Sequence, residues 1–512
     1  MGSNSFYITT AIYYPTAAPH VGSAFEIIGT DALARYQRLR GRDVRFLTGM
    51  DEHAERVLDT ARSRGQSPQD YVNAIADQFR QTWGALHISN DGFIQTTEPR
   101  HMEIVSTIFK RLLDQGDIYA ADYHGLYCVK CESFLAESQV KDGLCPECGR
   151  PTKPLSEPAF FFRLSKYQKA LEDHFASHPG FILPEFRQRE MVNSFLVPGL
   201  VDMCISRKTL NWGVPLPGEA GGVIYVWFDA LINYLTGRGY LQDEAMFRRY
   251  WPADVHVIGK DIPRFHTILW PAMLMALDLP LPKRIFIHGF IGMDGTKMSK
   301  SAGNVADPRD LCSQFTPDGL RYFLLREVNF GGDGAFSVQR LAERYNFDLG
   351  NDLGNLLNRA VTMIDRYLGG AVPAAPAITE AEAELIATAE GLFGRVDPLM
   401  DELQFSRAIE AIWELVRGAN KYAEHSEPWK LAKDPAARGR LECVLYCLAE
   451  SLRIVSVWLS PFVPRTAVEI RRQLGLGEAP GPLPDSVRWG QFPAGTKVVK
   501  GPTLFPKVEL PR

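Results

Sequence analysis

Apolar residues recur along this chain with two different periods, and the change from one to the other marks out its elements. Phe6 to Ile12 (FYITTAI) is a short, nearly continuous apolar run that predicts a buried strand, followed by a proline-containing loop, YYPTAAP. From His20-Val21-Gly22-Ser23 the spacing becomes helical. Phe25, Ile28, Ala32, Tyr36 and Leu39 fall on one face, Gly41 stands where a C-terminal stop is expected, and Val44 to Thr48 (VRFLT) predicts the next strand. Strand, helix and strand make a βαβ unit. Much later, Tyr225 to Ala230 (YVWFDA) opens an apolar helical segment reaching Leu235. Val255 to Asp261 (VHVIGKD) predicts a strand ending in polar groups, with Pro263 near the first turn of a following helix. Ile285 to His288 predicts another strand, then a turn on Asp294-Gly295 and a loop carrying Lys297 and Lys300. After Gly332 the pattern is helical to about Gln473, with the loop AVPAAP (371–376) inside it, which predicts a bundle. The expected fold class is therefore α/β, a doubly wound parallel sheet with an insertion and a C-terminal α-helical bundle.

Composition changes this picture little. With 512 residues, 46% hydrophobic and 23% charged, the chain has room for two to four domains and is not disordered. No apolar run is long enough to span a bilayer, and the N-terminus lacks the basic and apolar regions of a secretory signal, so the cytoplasm is the expected compartment. A net charge of −4 carries no global basic signature, so a nucleic-acid partner would have to be held by local patches. Of the eight cysteines, four fall in two C-x-x-C pairs, Cys128/Cys131 and Cys145/Cys148, with thirteen residues between the pairs. That pattern predicts a structural zinc site, one ion per chain, whose four thiolates leave no open position for catalysis. A redox dithiol or a site that has lost its metal are the competing readings.

Candidate chemistry gathers at the ends of the expected strands. Gly22 lets a ligand approach the start of a helix, where unpaired N–H groups and the positive dipole end favour phosphate; His20 serves there as a donor or as a cap. Asp51-Glu52-His53 follow the second strand, and Asp261 at a strand end is placed to accept hydrogen bonds from a ribose. In KMSKS (297–301) two lysines on a glycine-flanked loop can close over a polyphosphate and offset the charge that develops as its α-phosphate is attacked. Trp227, Tyr234, Phe265 and His266, at helical spacing, fit core packing as well as a ligand pocket. Asn351, Asn355 and Arg359, at i, i+4 and i+8, put two amides and a guanidinium on one helix face; with Trp429 they fit unpaired bases, or a solvated stripe and a buried Trp.

These segments, taken in order, resemble the class I aminoacyl-tRNA synthetases, and within them the methionyl-tRNA synthetase family. The resemblance spans nearly the whole chain and rests on His20-Val21-Gly22-Ser23, TGMDEH (48–53), the single cysteine knuckle module, YVWFDA, GKDIPRFH (259–266) and KMSKS. It implies a Rossmann-like catalytic domain in two halves (1–115 and 226–291) around a knuckle-bearing connective insertion (116–225). A KMSKS loop and stem-contact region (292–345) and an anticodon-binding helical domain with its tail (346–512) follow. The implied reaction is methionine-tRNA ligation: methionine and ATP, with Mg2+, give methionyl-adenylate and pyrophosphate, and the methionyl group then passes to the 3′ end of tRNA(Met).

By the same resemblance His20, Ser23, Lys297 and Lys300 are catalytic, and Gly22, Gly259, Asp261, His288 and Lys300 bind ATP. Methionine is expected against Ile12, Tyr14, Asp51, Arg207, Trp227, Leu231, Tyr234, Ile262, Phe265 and His266, and the anticodon against Asn351, Asn355, Arg359 and Trp429. One departure stands out: the second histidine of the first signature is Ser23 here, which can hydrogen-bond a phosphate but cannot carry charge. A tRNA-binding relative that has lost activation is the rival outside the enzymes. The absence of an appended C-terminal module leads to the expectation of a monomer.

Overall fold

The computed structural model describes residues 4–135, 140–146, 148–218, 221–293, 296–297 and 306–509. Its chain divides into two compact units that interleave in sequence: Met1–Pro19, Val44–Gln81 and Asn90–His288 form one, and His20–Asp43, Thr82–Ser89 and Gly289–Arg512 the other.

The first unit is built on a six-stranded sheet. Its spatial order is Gly92–Gln95, Asp43–Met50, Ser5–Thr10, Val255–Gly259, Ile285–His288 and Ile182–Leu183. Leu47 pairs with Gly92, Ile8 with Val255, His256 with Ile285 and Phe286 with Leu183, each in parallel register. Parallel strands covered on both faces need apolar side chains facing both ways, and Val255–Gly259 and Ile285–His288 are buried at every position. Chain order reverses between Ser5–Thr10 and Val255–Gly259, and beyond the carboxyl ends of two such strands lies the crevice where open α/β sheets bind ligands.

The stretch expected as an insertion (116–225) folds mostly apart from that sheet, although Ile182–Leu183 within it joins the sheet as its last strand. Its core is a long antiparallel hairpin, Ile118–Cys128 with Lys153–Phe162, flanked by Ser133–Leu135 and Met203–Cys204.

In the second unit the helix Val21–Leu39 forms where the apolar period placed it, and Gly41 follows in the left-handed region (φ 79°) that relieves a helix end. After residue 288 the expectation was a turn on Asp294-Gly295, which lie outside the described residues, and then a loop carrying the lysines. Instead Ile291–Met293 lies between Thr296–Lys297 and Gly334–Phe336 in a small three-stranded sheet. Strands of two or three residues hold too few alternations to show a period and are fixed by their neighbours. The bundle consists of Glu380–Asp401, Phe405–Ser426, Arg438–Leu459 and Pro464–Gln473 with Asn355–Leu368 packed beside them, and 371–376 is the loop anticipated. The tail returns onto this unit: the Val498 N–H donates to the Gly370 carbonyl (2.9 Å), the Val372 N–H donates to the Thr496 carbonyl (3.0 Å), and Phe505 is buried edge-on against Tyr345. No described helix is long and apolar enough to cross a membrane.

One ion pair ties these pieces together. Arg321 and Asp31, both with 0% of the side chain exposed, meet at 2.8 Å. The guanidinium also donates to the carbonyls of Phe462 (2.8 Å), Pro461 (2.9 Å) and Leu86 (3.3 Å), and Asp31 accepts from Ser89 N–H (2.8 Å), Ser89 Oγ (2.6 Å) and Arg35 (2.8 Å). Burial opposes the Asp31 charge, yet Arg321, Arg35 and Ser89 together hold its carboxyl below the usual range. Removing one partner of such a pair leaves a buried charge uncompensated. Arg321→Met is therefore expected to lower the unfolding free energy of this unit by about 3–5 kcal/mol, with Asp31→Asn in the same chain recovering part of the loss. Urea unfolding followed by tryptophan fluorescence measures it, and a loss under about 1 kcal/mol would contradict this account.

Candidate active site

At the crevice of the parallel sheet, Gly259 and His288 end neighbouring strands and stand opposite each other in register. A Cβ on residue 259 would lie 2.5 Å from Asp261 Oδ1 and 3.6 Å from His288 Nε2, so the bare glycine is what allows these side chains to share the space. Asp261 is exposed and His288 buried. The three residues assigned to ATP from the later strands thus come together, as a carboxylate and an imidazole at a sheet edge that a sugar can approach closely.

An aromatic pocket lies on the same unit. Trp227 and Phe265 stack with centroids 4.0 Å apart and planes 5° from parallel, while Tyr14 (6.1 Å) and His266 (6.2 Å) meet Trp227 edge-on. Ile12, Tyr14 and Ile262 pack half-buried against the core formed by Leu231 and Tyr234. His266 has a fixed tautomer: Nδ1 lies 3.1 Å from the Ile262 carbonyl, which only accepts, so Nδ1 carries the proton and Nε2 accepts from the Tyr234 hydroxyl at 2.8 Å. Its neighbour His256 is fixed the same way, because the Trp270 indole can only donate to its Nε2 (3.3 Å) and Nδ1 faces Thr9 Oγ1 (2.8 Å).

Beside these rings sits a cluster of carboxyls. Asp229, fully buried, accepts from His53 Nδ1 (2.6 Å) and His101 Nε2 (2.8 Å). Burial works against its charge, but the two imidazoles hold its carboxyl below the ordinary value. Asp51, only 2% exposed, is the opposite case: burial first, then the fields of Asp229, Glu132 and Glu52, push its carboxyl well above the ordinary range. Asp51 Oδ1, the Tyr14 hydroxyl and the Trp227 indole N–H have no hydrogen-bond partner among the described residues.

The four knuckle cysteines converge. One sulfur from each of Cys128, Cys131, Cys145 and Cys148 lies within 4.8 Å of the others, a donor set that fits a tetrahedral metal ion. Glu132, next to Cys131, points away from them: Oε1 accepts the Glu55 N–H (2.9 Å) and Oε2 the Tyr127 hydroxyl (2.9 Å), and burial pushes its carboxyl up to about 7. Arg207 serves the same junction. Its guanidinium stacks over Tyr127 at 4.0 Å and pairs with Glu55 (3.2 Å) and Glu157 (3.7 Å), contacts that brace this junction.

The remaining residues belong to the second unit. His20 Nδ1 accepts from the N–H groups of Gly22 (3.0 Å) and Ser23 (3.3 Å), and Ser23 Oγ exchanges hydrogen bonds with the His20 backbone at 2.8 and 2.9 Å, a complete capping box. Lys297 ends the strand Thr296–Lys297, whereas Ser299, Lys300 and Ser301 lie outside the described residues. Asn351 and Asn355 are exposed, and the Arg359 guanidinium stands 5.6 Å from the Trp429 ring. The face is not a simple α-helical stripe, because Tyr345–Gly354 is π-helical and the α-helix starts at Asn355.

Residues 6–157 and 152–361 match the family model described as tRNA synthetases class I (M), and residues 372–510 match the Anticodon binding domain of methionyl tRNA ligase. The chain belongs to the methionyl-tRNA synthetase family. It is 50% identical over 507 residues to a methionine–tRNA ligase of Caldanaerobacter subterraneus subsp. tengcongensis, covering 99% of this chain and 79% of that one. Against that of Bacillus subtilis it is 46% identical over 521 residues, covering 99% and 78%. Among solved structures, Mycobacterium tuberculosis methionyl-tRNA synthetase in complex with methionyl-adenylate superposes with a TM-score of 0.94 at 43% identity, over 98% of this chain and 99% of that one. The free-state structure of a synthetase from that organism gives 0.88 at 41% identity, over 99% of both chains.

In this member of the synthetase family, sequence reasoning left His101, Asp229 and Glu132 without roles. His101 has no local signal; Asp229 lies within YVWFDA, but its pairing with His53 and His101 joins residues too far apart in the chain for a local pattern to show. Glu132 carries a weak signal, its place beside a knuckle cysteine.

A pH test follows from His266. Burial holds this imidazole down to about 4, while the unfolded chain takes up the proton near 6.5. Between those values the unfolded state binds more protons, so stability falls as pH falls, by about 3 kcal/mol from this group. Substituting His266→Gln should flatten the decline in thermal unfolding midpoint between pH 6.5 and 4; an unchanged slope would show that His266 is not held neutral.

Proposed function

We propose that this chain condenses methionine with ATP to methionyl-adenylate, releasing pyrophosphate, and transfers the methionyl group to the 3′ end of tRNA(Met). One observation carries the methionine assignment: a buried carboxyl, Asp51, with an unpartnered oxygen, among three other carboxyls and beside an aromatic pocket. An α-ammonium supplies the cation that this cluster favours, and an unbranched thioether fits against Trp227, Phe265 and Tyr14, where sulfur gains from aromatic edges. Ile12, Leu231, Tyr234, Ile262 and His266 complete that pocket on this reading.

Gly259, Asp261 and His288 receive the adenosine. His20, Gly22 and Ser23 receive the phosphates, after giving up part of the capping box described above. The methionine carboxylate attacks the α-phosphorus in line, the bond to the bridging oxygen breaks, and Lys297 and Lys300 neutralise the departing pyrophosphate. Mg2+ enters with ATP and shares that charge. A terminal ribose hydroxyl of the tRNA then attacks the methionyl carbonyl, and AMP leaves. Asn351, Asn355, Arg359 and Trp429 read the anticodon. The enzyme acts as a cytoplasmic monomer, and Zn2+ held by the four cysteines stabilises the insertion without taking part in the chemistry.

Methionine-dependent ATP–pyrophosphate exchange tests the reading, with leucine and cysteine as controls. Asp51→Asn should weaken methionine binding by about ten- to a hundredfold through loss of a charge-assisted hydrogen bond. Lys300→Ala should slow activation by about 10²–10³ with methionine affinity nearly unchanged. No exchange with any amino acid would overturn the enzyme reading in favour of a tRNA-binding relative, and exchange with leucine would overturn the specificity. For the metal, elemental analysis of the purified protein should find one zinc per chain, and Cys145→Ser should reduce it and expose the knuckle to protease; a full complement of zinc in that variant would refute the ligand set.

A further inference from the structure

In the second unit a cavity of about 620 Å3 lies between the helical stretch that carries Asn351 and Asn355 and the tail segment around Phe505. That volume falls in the ~300–1,000 Å3 range of small-ligand sites. Asn346, Asn351, Asn355 and Asn358 contribute four amides to its lining, Lys507 faces it from the tail, and Phe347 stands on it. The tail wall is fastened. Asn346 Nδ2 donates to the Val508 carbonyl (2.9 Å) while the Val508 N–H donates to Asn346 Oδ1 (3.0 Å), and Phe505, 3% exposed, is anchored against Tyr345 at 5.4 Å.

Phe347 is 63% exposed, although the same π-helical stretch buries Tyr345, Leu349 and Leu353. An exposed phenyl ring alone means little. This one shares a cavity with the two amides assigned to the anticodon, four and eight residues further along, and the opposite wall belongs to the segment that matches an anticodon-binding family. Amide groups match the edges of an unpaired base, an open aromatic face matches its plane, and an ammonium matches the phosphate that joins it to the next nucleotide. Glu343, the one carboxylate of the lining, can accept from a base amino group.

We propose that Phe347 and Lys507 form a further nucleotide subsite, in which an anticodon-loop base flanking the triplet stacks on the phenyl ring and its phosphate meets the lysine. This rests on the anticodon reading of Asn351 and Asn355 and extends it onto the tail.

The test uses the full chain and a hairpin RNA carrying the methionine anticodon loop, with binding followed by fluorescence anisotropy. Phe347→Ala should weaken binding by about tenfold, while Phe347→Tyr, which keeps the ring, should stay within about twofold of the original. An abasic site at one flanking position should weaken the unaltered protein by a similar factor and Phe347→Ala no further, since the two changes remove one contact. Lys507→Ala should lower the salt dependence by about one phosphate. Methionine-dependent exchange without tRNA should be unchanged in all these variants. Unaltered binding by Phe347→Ala, or losses that simply multiply with the abasic change at both flanking positions, would overturn the subsite. Asn355→Ala separates the two readings: if it weakens binding while Phe347→Ala does not, only the subsite fails, and if neither weakens binding the anticodon face fails with it.

Discussion

A carboxylate shut away from water must find positive charge or hydrogen bonds or else take up a proton, and Asp229 is the fully buried carboxylate on which the centre of the first unit depends. Two imidazoles meet it, His53 from the loop after the second strand and His101 from the helix Pro99–Asp114, while Asp229 itself sits on Val226–Leu231, the helix that also presents Trp227. Keeping that charge satisfied therefore positions the aromatic pocket. It also creates the problem at Asp51, whose carboxyl lies in the same field with no imidazole of its own. Two carboxyls in one cluster, one held charged by the protein and the other raised, are the arrangement expected where a substrate brings its own cation.

The insertion is keyed into this centre. Ala54 precedes the helix Glu55–Ser63 and has no side chain able to cap it; the cap comes instead from Glu132, beside a knuckle cysteine. Arg207 closes the same joint from another strand of the insertion, against Glu55 and Glu157. The four-cysteine cluster thus holds a loop whose neighbouring residue finishes an element next to TGMDEH, a coupling that its sulfur ligands alone would not suggest.

What was legible in the sequence was what a local pattern encodes. The helix from Val21, the strands at 5–10, 43–50, 255–259 and 285–288, the cysteine spacing and the long helices after 332 each announce themselves through a period or a motif. The strand pair around Thr296–Lys297 did not, because so few residues carry no period of their own. The π-helical stretch at Tyr345–Gly354 was read as ordinary helix, since its buried Tyr345, Leu349 and Leu353 are four residues apart, a spacing that fits either kind of turn. His20 was read as a phosphate donor or a cap, and the structure shows it capping, with Ser23 as the reciprocal partner. The pairing of Arg207 with Glu55 and Glu157 was not legible, because a motif match gives position along the chain but not the direction of a long side chain.

The pairing of Asp31 with Arg321 has a consequence in time. On the ribosome the helix Val21–Leu39 emerges early, but the guanidinium that neutralises Asp31 is made 290 residues later, counting from 31 to 321. At ~5–20 residues per second the interval is roughly 15–60 s. Through that interval the first unit, complete in sequence by His288, has all its strands, while Asp31 has only the partners made early, Arg35 on its own helix and Ser89. A nascent chain of this protein therefore carries one finished half and one open apolar helix face, the kind of surface that folding helpers recognise.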